Sequence, residues 1–117
     1  PYIATHPDFN CPTETGFAPD IGAIMAFIEA SAFRRPELIV GKPNTGIVEA
    51  ALRRTGLKTG EMAMVGDRLY TDIETGLRSG MLSILVMSGE TTEEILAKSE
   101  TVPDLKFGRL ADMIPLL

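Results

Sequence analysis

The sequence predicts a three-layer, Rossmann-like α/β fold built on a parallel sheet. Three observations carry that expectation. From residue 37 onward, short apolar runs alternate with amphipathic stretches in the order strand, helix, strand, helix, strand, helix. That is the pattern of a parallel sheet with crossover helices. The apolar runs are nearly continuous rather than alternating, as in strands covered on both faces, and turn and capping residues stand at the joints between them.

Taken in order, Tyr2-Ile3-Ala4 reads as a short strand. Residues 5–19 hold Pro7, Asp8, Asn10, Pro12, Gly16 and Pro19 and read as a loop. Asp20 stands as an N-cap before Ile21, Ile24, Met25 and Ile28, whose spacing predicts a helix over 21–33, closed by Arg34, Arg35 and Pro36. Residues 37–40 read as a buried strand ending at Gly41. Ile47, Val48, Ala51 and Leu52 mark one face of a helix over 44–55, with Gly56 in the position of a left-handed C-terminal cap. Residues 62–65 form the next buried strand, ending at Gly66-Asp67. Thr71 and Glu74 fit a capping box for a helix to about residue 79, which Gly80 ends. Residues 81–87 read as a third buried strand. Thr91 and Glu94 fit a second box, opening a helix to about residue 98. Residues 106–108 suggest an edge strand and 110–117 a final helical turn or two.

The chain has 117 residues, 11 Lys plus Arg and 16 Asp plus Glu, for a formal net charge of −5. Its length suits one domain at most, since domains commonly run from about 100 to 200 residues. The acidic balance argues against a sequence-independent grip on nucleic acid or on an anionic membrane, both of which need a basic surface. Cys11 is the sole cysteine, which excludes an internal disulfide and a zinc site built on paired cysteines. No apolar run approaches the roughly 20 residues of a membrane span, and no signal peptide opens the chain. A cytoplasmic protein is expected. The chain opens Pro1-Tyr2-Ile3 with no Met and already in an apolar stretch, as a piece of something longer would.

Chemistry is expected where parallel strands end, because ligands bind at the carboxyl ends of open sheets. Lys42 follows the strand at 37–40, and Asp67 follows the strand at 62–65, with Asp72 five residues later. Two carboxylates across one loop can hold a hard cation such as Mg²⁺. Equally, Asp67 is a turn former after a strand, and Asp72 is an acid that a helix N-terminus favours without any metal. Lys42 is either a fixed ammonium for a phosphoryl group or a carboxylate, or an exposed loop lysine. His6, the single histidine, has Asp8 as its only nearby acid and reads as structural. Cys11 has no evident basic partner and reads as a loop or pocket-lining residue. The six methionines fall on apolar faces and read as core. No Walker loop and no dinucleotide-binding glycine fingerprint is present.

Gly41-Lys42-Pro43, followed by Met64-Val65-Gly66-Asp67-Arg68-Leu69-Tyr70-Thr71-Asp72-Ile73, resembles the haloacid dehalogenase (HAD) superfamily. Within it, the set resembles the NagD-type phosphatases. Ala4-Thr5-His6-Pro7-Asp8 is similar to that branch's Ala-Thr-Asn-x-Asp segment, with His6 in place of Asn. Pro19-Asp20-Ile21-Gly22-Ala23-Ile24 is similar to its Pro-Gly-x-Gly-x-hydrophobic helix start, with Asp20 in place of Gly. The likeness runs from Tyr2 to about Leu110.

The resemblance implies a Mg²⁺-dependent phosphatase that acts on a small phosphorylated metabolite through an aspartyl-phosphate. Lys42 would then be the lysine that stabilises negative charge on nucleophile and phosphoryl group, Asp67 a metal ligand, and Asp72 a second ligand or an orienter of metal-bound water. Asp8 to Cys11 would form the cap loop that contacts substrate. It also implies that 1–36 is the end of a cap domain and 37–117 the C-terminal half of the core. The family's nucleophile and general acid lie in an Asp-x-Asp motif, and residues 1–117 contain none. The isolated chain is therefore expected to be inactive, to bind Mg²⁺ weakly at best, and to self-associate, as a homodimer for instance, through an open edge of the strand at 62–65. Two other readings are a non-catalytic remnant and a receiver-like signalling domain. The latter would place its acids before Lys42 rather than after it.

Overall fold

The structure is a computed structural model that describes residues 1–116. It falls into two compact units, Pro1–Ile47 and Val48–Leu117. Among the described residues no helix is long and apolar enough to cross a membrane.

In the first unit, β1 (Ile3–Ala4) pairs in parallel with β4 (Leu38–Ile39), Ile3 opposite Leu38 and Ala4 opposite Ile39. The stretch expected to be a loop is a hairpin instead. β2 (Asn10–Thr13) runs antiparallel to β3 (Gly16–Pro19), with Thr13 opposite Gly16. Prolines 12 and 19, which argue for a loop, sit in a two-stranded ribbon where each strand has a free side and a missing N–H costs no ladder bond. Helix α1 (Ile21–Ala32) starts as expected, with the Asp20 carboxylate accepting from the Ile21 N–H at 2.8 Å. It ends on Phe33 in a left-handed conformation, φ 54°, whose N–H donates to the Glu29 carbonyl. The expected strand at 37–40 shortens to β4 and is less buried than the sequence suggests, with Leu38 and Val40 both exposed.

Helix α2 (Gly46–Thr55) crosses the division between the units and ends at Gly56, φ 73°, as the C-cap expectation has it. The second unit carries a three-stranded parallel sheet in the order β5-β6-β7, comprising Ala63–Gly66, Leu82–Val86 and Leu105–Phe107. Helices α3 (Glu74–Ser79) and α4 (Glu93–Lys98) make the crossovers. This is the partial parallel core of the predicted α/β class. Central β6 is buried along most of its length, whereas β5 alternates exposed and half-buried residues, because among the described strands it has one neighbour. The core gathers Leu69, Ile73 and Leu85, with Met87 and Leu96 packed against them. Of the methionines only Met81 is buried, the others being half-buried. A 3₁₀ segment, Leu110–Leu116, closes the described chain, and Leu117, the last residue of the expected 110–117 turn, lies outside it.

Both capping boxes need correction. Thr71 is no N-cap. The chain already winds into a π-helical turn over Leu69–Ile73, with the N–H groups of Asp72 and Ile73 both reaching the Arg68 carbonyl, at 3.0 and 3.2 Å. Thr71, Asp72 and Ile73 are buried in it, and the Asp72 carboxylate turns back to accept from the Arg68 N–H at 3.2 Å. In the second box the cap is Thr92, whose hydroxyl accepts from the Ile95 N–H. Thr91 is one residue too early because its own hydroxyl is spent on the Asp67 carbonyl at 2.6 Å.

The π-turn fits only because residue 66 is glycine. A Cβ there would collide with the Cβ and carboxyl carbon of Asp72. We expect Gly66→Ala to cost about 1–3 kcal/mol, as overpacking at a closed site does, measured as a lower midpoint in urea unfolding. A second dependence follows from β7. The Asp104 carboxylate accepts from both the hydroxyl and the N–H of fully buried Ser83, at 2.7 and 2.8 Å. The Ser83 hydroxyl bond, then its N–H, hold the Asp104 carboxyl below the usual carboxylate range. A depressed folded-state pKa stabilises at pH values above the unfolded one, about 3.9, and that contribution fades as pH falls through the lower folded value. The melting temperature of Asp104→Asn should therefore lie below wild type at pH 7, with the gap closing in acid. A gap constant from pH 7 to strong acid would contradict it.

Candidate functional site

Asp67 directly follows β5, at the carboxyl end of the parallel sheet. Its backbone and side chain are both held by the segment after β6. The Asp67 carbonyl accepts from the Thr91 N–H at 3.2 Å and from the Thr91 hydroxyl. Its carboxylate Oδ2 accepts from the Glu90 N–H at 2.7 Å. Gly89 presses on the same carboxylate so closely that a Cβ there would collide with Oδ2. The carboxylate is thus fixed by one oxygen, and Oδ1 takes no hydrogen bond among the described residues.

Asp72 lies on the other side of the same turn. It is 5% exposed, packs against Gly66 and is bonded to the N–H of Arg68. Asp67 thus lies inside the three-residue corner 66–68, and Asp72 folds back on that corner from the turn that follows. Arg68 forms an ion pair with Glu90, Nε to Oε2, at 2.7 Å. Among the described residues no group of three or more His, Cys, Asp or Glu side chains is arranged to hold a metal ion. What the corner offers is a pair of oxygen donors. That donor chemistry fits Mg²⁺, which is often held by one or two carboxylates and completed by waters and substrate phosphate.

The other sequence-flagged residues lie in the first unit. Lys42 is exposed in the turn after β4, closed by Asn44, whose N–H and side-chain amide both donate to the Gly41 carbonyl, at 3.1 and 3.0 Å. The Lys42–Pro43 peptide is cis. Gly41 lies against the Thr5 carbonyl and the His6 Cβ, so the turn rests on the loop after β1. Asp8 belongs to that loop. Its carbonyl accepts from the Gly22 N–H at 2.7 Å, which ties the loop to the first turn of α1. Its carboxylate is 3.9 Å from His6 Nδ1, and His6 Nε2 is 3.4 Å from the Asp20 carboxylate. His6 thus has two acidic neighbours where the sequence pointed to one. Cys11 is exposed on β2 opposite Ala18, with only a 3.8 Å contact from its Sγ to the Pro12 carbonyl.

Sequence reasoning passed over Gly89 and Glu90 and read Thr91 only as a helix cap, yet these three residues clasp Asp67. A signal was available. In a parallel sheet the segments following neighbouring strands emerge at the same end, and a Gly-Glu-Thr run just beyond the strand at 81–87 is placed to meet whatever follows the strand at 62–65.

With this geometry in view, likenesses to known proteins carry weight. The sequence profile of the HAD-hydrolase-like family matches residues 39–113. An acid sugar phosphatase of Staphylococcus epidermidis is 41% identical over 106 residues, which cover 91% of this chain and 40% of that protein. The crystal structure of a 4-nitrophenylphosphatase from Thermotoga maritima superposes with a TM-score of 0.93 at 53% identity, over 97% of this chain and 44% of the other. NagD from Escherichia coli K-12 does so with a TM-score of 0.82 at 36% identity, over 95% and 43%. The chain spans less than half the length of these relatives. With the family profile matched over most of its length and the NagD fold matched over nearly all of it, the chain belongs to the HAD-like hydrolases and is of NagD type.

Proposed function

We propose that this chain supplies the metal-binding and charge-stabilising part of a Mg²⁺-dependent phosphatase. It would act on a small phosphorylated metabolite in the cytoplasm, together with an Asp-x-Asp segment that residues 1–117 do not contain. In this reading residues 1–36 are the end of a cap and 37–117 the second half of the catalytic core. The observation that carries the proposal is the state of Asp67, a carboxylate held rigidly through one oxygen with the other unengaged at the carboxyl end of a parallel sheet. The likeness to phosphatases over nearly the whole chain supports it.

The roles follow from chemistry. Asp67 offers Oδ1 to the cation, its orientation fixed before any ligand arrives. Asp72, buried and bonded to the Arg68 N–H, would be a second ligand or would orient water held by the metal. Bound Mg²⁺ would polarise the phosphoryl oxygens and offset the charge that builds on them. Lys42 places a cation at the phosphoryl group and at the carboxylate nucleophile, which lowers the cost of bringing two anions together. Asp8 and Cys11 contact the substrate beyond its phosphate. The name of the staphylococcal relative makes a phosphorylated sugar the first class to try. The nucleophile, which residues 1–117 do not contain, would attack the phosphorus and form an aspartyl-phosphate as the ester P–O bond breaks and the alcohol leaves with a proton; water would then attack that phosphorus, releasing inorganic phosphate and regenerating the carboxylate. Without that nucleophile residues 1–117 should not turn over.

In a protein that carries both this segment and an Asp-x-Asp strand, Asp67→Ala should weaken Mg²⁺ binding at least about tenfold, read by titration calorimetry. Lys42→Ala should lower turnover of a phosphate monoester by about 10²–10³-fold. Unchanged Mg²⁺ binding would remove Asp67 as a ligand, and unchanged turnover would remove Lys42 from the chemistry. Residues 1–117 alone should give no phosphate release from 4-nitrophenyl phosphate.

A further inference from the structure

We propose that the Arg68–Glu90 ion pair is a latch that sets Asp67 for cation binding, which makes Arg68 and Glu90 positioning residues. The inference rests on the reading of Asp67 as a metal ligand. It starts from the fact that residue 90 is attached at two points to two consecutive residues. Its N–H donates to Asp67 Oδ2 at 2.7 Å, and its carboxylate takes the Arg68 Nε at 2.7 Å.

A single hydrogen bond would let the segment after β6 pivot about it. The second attachment, through side chains on the adjoining residues, removes that freedom. Thr91 adds its N–H and hydroxyl to the Asp67 carbonyl, and Gly89 closes in on Oδ2 from the same segment. The consequence is chemical. With Oδ2 committed to the Glu90 N–H, rotation of the Asp67 carboxylate would break that bond, so Oδ1 would be offered to a cation in one orientation. The pair also neutralises Glu90. A released Glu90 carboxylate, on the same residue whose N–H bonds Asp67, would repel an arriving phosphate or draw the cation out of place.

Stability is not what the pair is for. The Arg68 and Glu90 side chains are 28% and 39% exposed, and ion pairs that open to water contribute little to folding. An interaction of small energetic weight, tied to a carboxylate at the carboxyl end of the sheet, fits a positioning role. Groups that orient a metal ligand commonly change affinity by 10- to 100-fold when removed.

The test uses the 117-residue chain with Mn²⁺ as the probe cation, and two readouts. One is the Mn²⁺ dissociation constant. The other is the hydrogen-exchange rate of the residue-90 amide, which reports opening of the segment with no metal present. For Glu90→Gln and Arg68→Gln we expect exchange at least about tenfold faster, Mn²⁺ binding about tenfold weaker, and melting temperatures close to wild type. The charge-swapped pair Arg68→Glu/Glu90→Arg should restore both readouts. Single variants that exchange and bind as wild type would overturn the latch. So would a charge swap that fails to restore what the singles lose, or a melting temperature that collapses along with affinity, since either assigns the effect to something other than the pair. If Asp67→Asn binds Mn²⁺ as well as wild type, the metal reading fails, and the latch as a positioner of a metal ligand fails with it. Amide exchange still shows separately whether the pair holds the segment.

Discussion

The second unit is organised around the space that two glycines leave for two carboxylates. Gly66 makes room for Asp72 and Gly89 for Asp67, and at neither position does a Cβ fit. Because Asp72 can fold back over Gly66, its carboxylate reaches the Arg68 N–H and the chain turns at once from β5 into a π-helical turn. Because Gly89 can approach Asp67, the segment after β6 comes close enough for Glu90 and Thr91 to bond it. Removal of either glycine would push an acid out of the corner and open the joint between strand and helix. The same steric allowance therefore serves the packing of the unit and the presentation of its acids.

Much of this was legible in the residues, and what was not had a common cause. Gly56 and Gly80 mark helix ends because a left-handed residue is a local requirement. Asp20 marks a helix start for an equally local reason. The third strand at 81–87 shows itself by composition alone. The failures came where a side chain had a more distant use. Thr91 looks like a cap in sequence, yet its hydroxyl serves Asp67, 24 residues away. Thr71 has the right partner three residues on, but Asp72 closes the turn first, and a π-helical turn has no fixed residue signature. The hairpin at 10–19 was hidden by its prolines, which a two-stranded ribbon tolerates. For the site, Asp67, Asp72 and Lys42 stood out because they follow strands. Glu90 did not, because an acid in a run of polar residues looks like any solvated surface charge until its backbone partner is known.

The first unit shows a different economy. Its parallel pair is two residues long on each strand, and much of its apolar surface, Phe17, Phe27 and Phe33 among it, is exposed. Order there comes from backbone contacts that a few short segments make with one another. Asp8 bonds Gly22, Gly41 rests on Thr5 and His6, and Asn44 closes the turn that carries Lys42. Lys42 and Asp8, separated by 34 positions in sequence, are thus both tied to the same short loop.

The Ser83–Asp104 clasp has a consequence for how such chains can vary. A parallel strand must be returned by a long connection, and nothing in the connection itself fixes how far the strand slides. Here the alignment of β7 on β6 is set just before its first residue, where Asp104 takes both the N–H and the hydroxyl of Ser83 and donates its own N–H back at 3.0 Å. A slip by one residue would break all three bonds and turn the strand's faces over. The connection is thereby relieved of the duty to measure distance. Insertions and deletions between α4 and Asp104 can accumulate across a lineage without disturbing the sheet, and this stretch is where length should drift most freely among relatives.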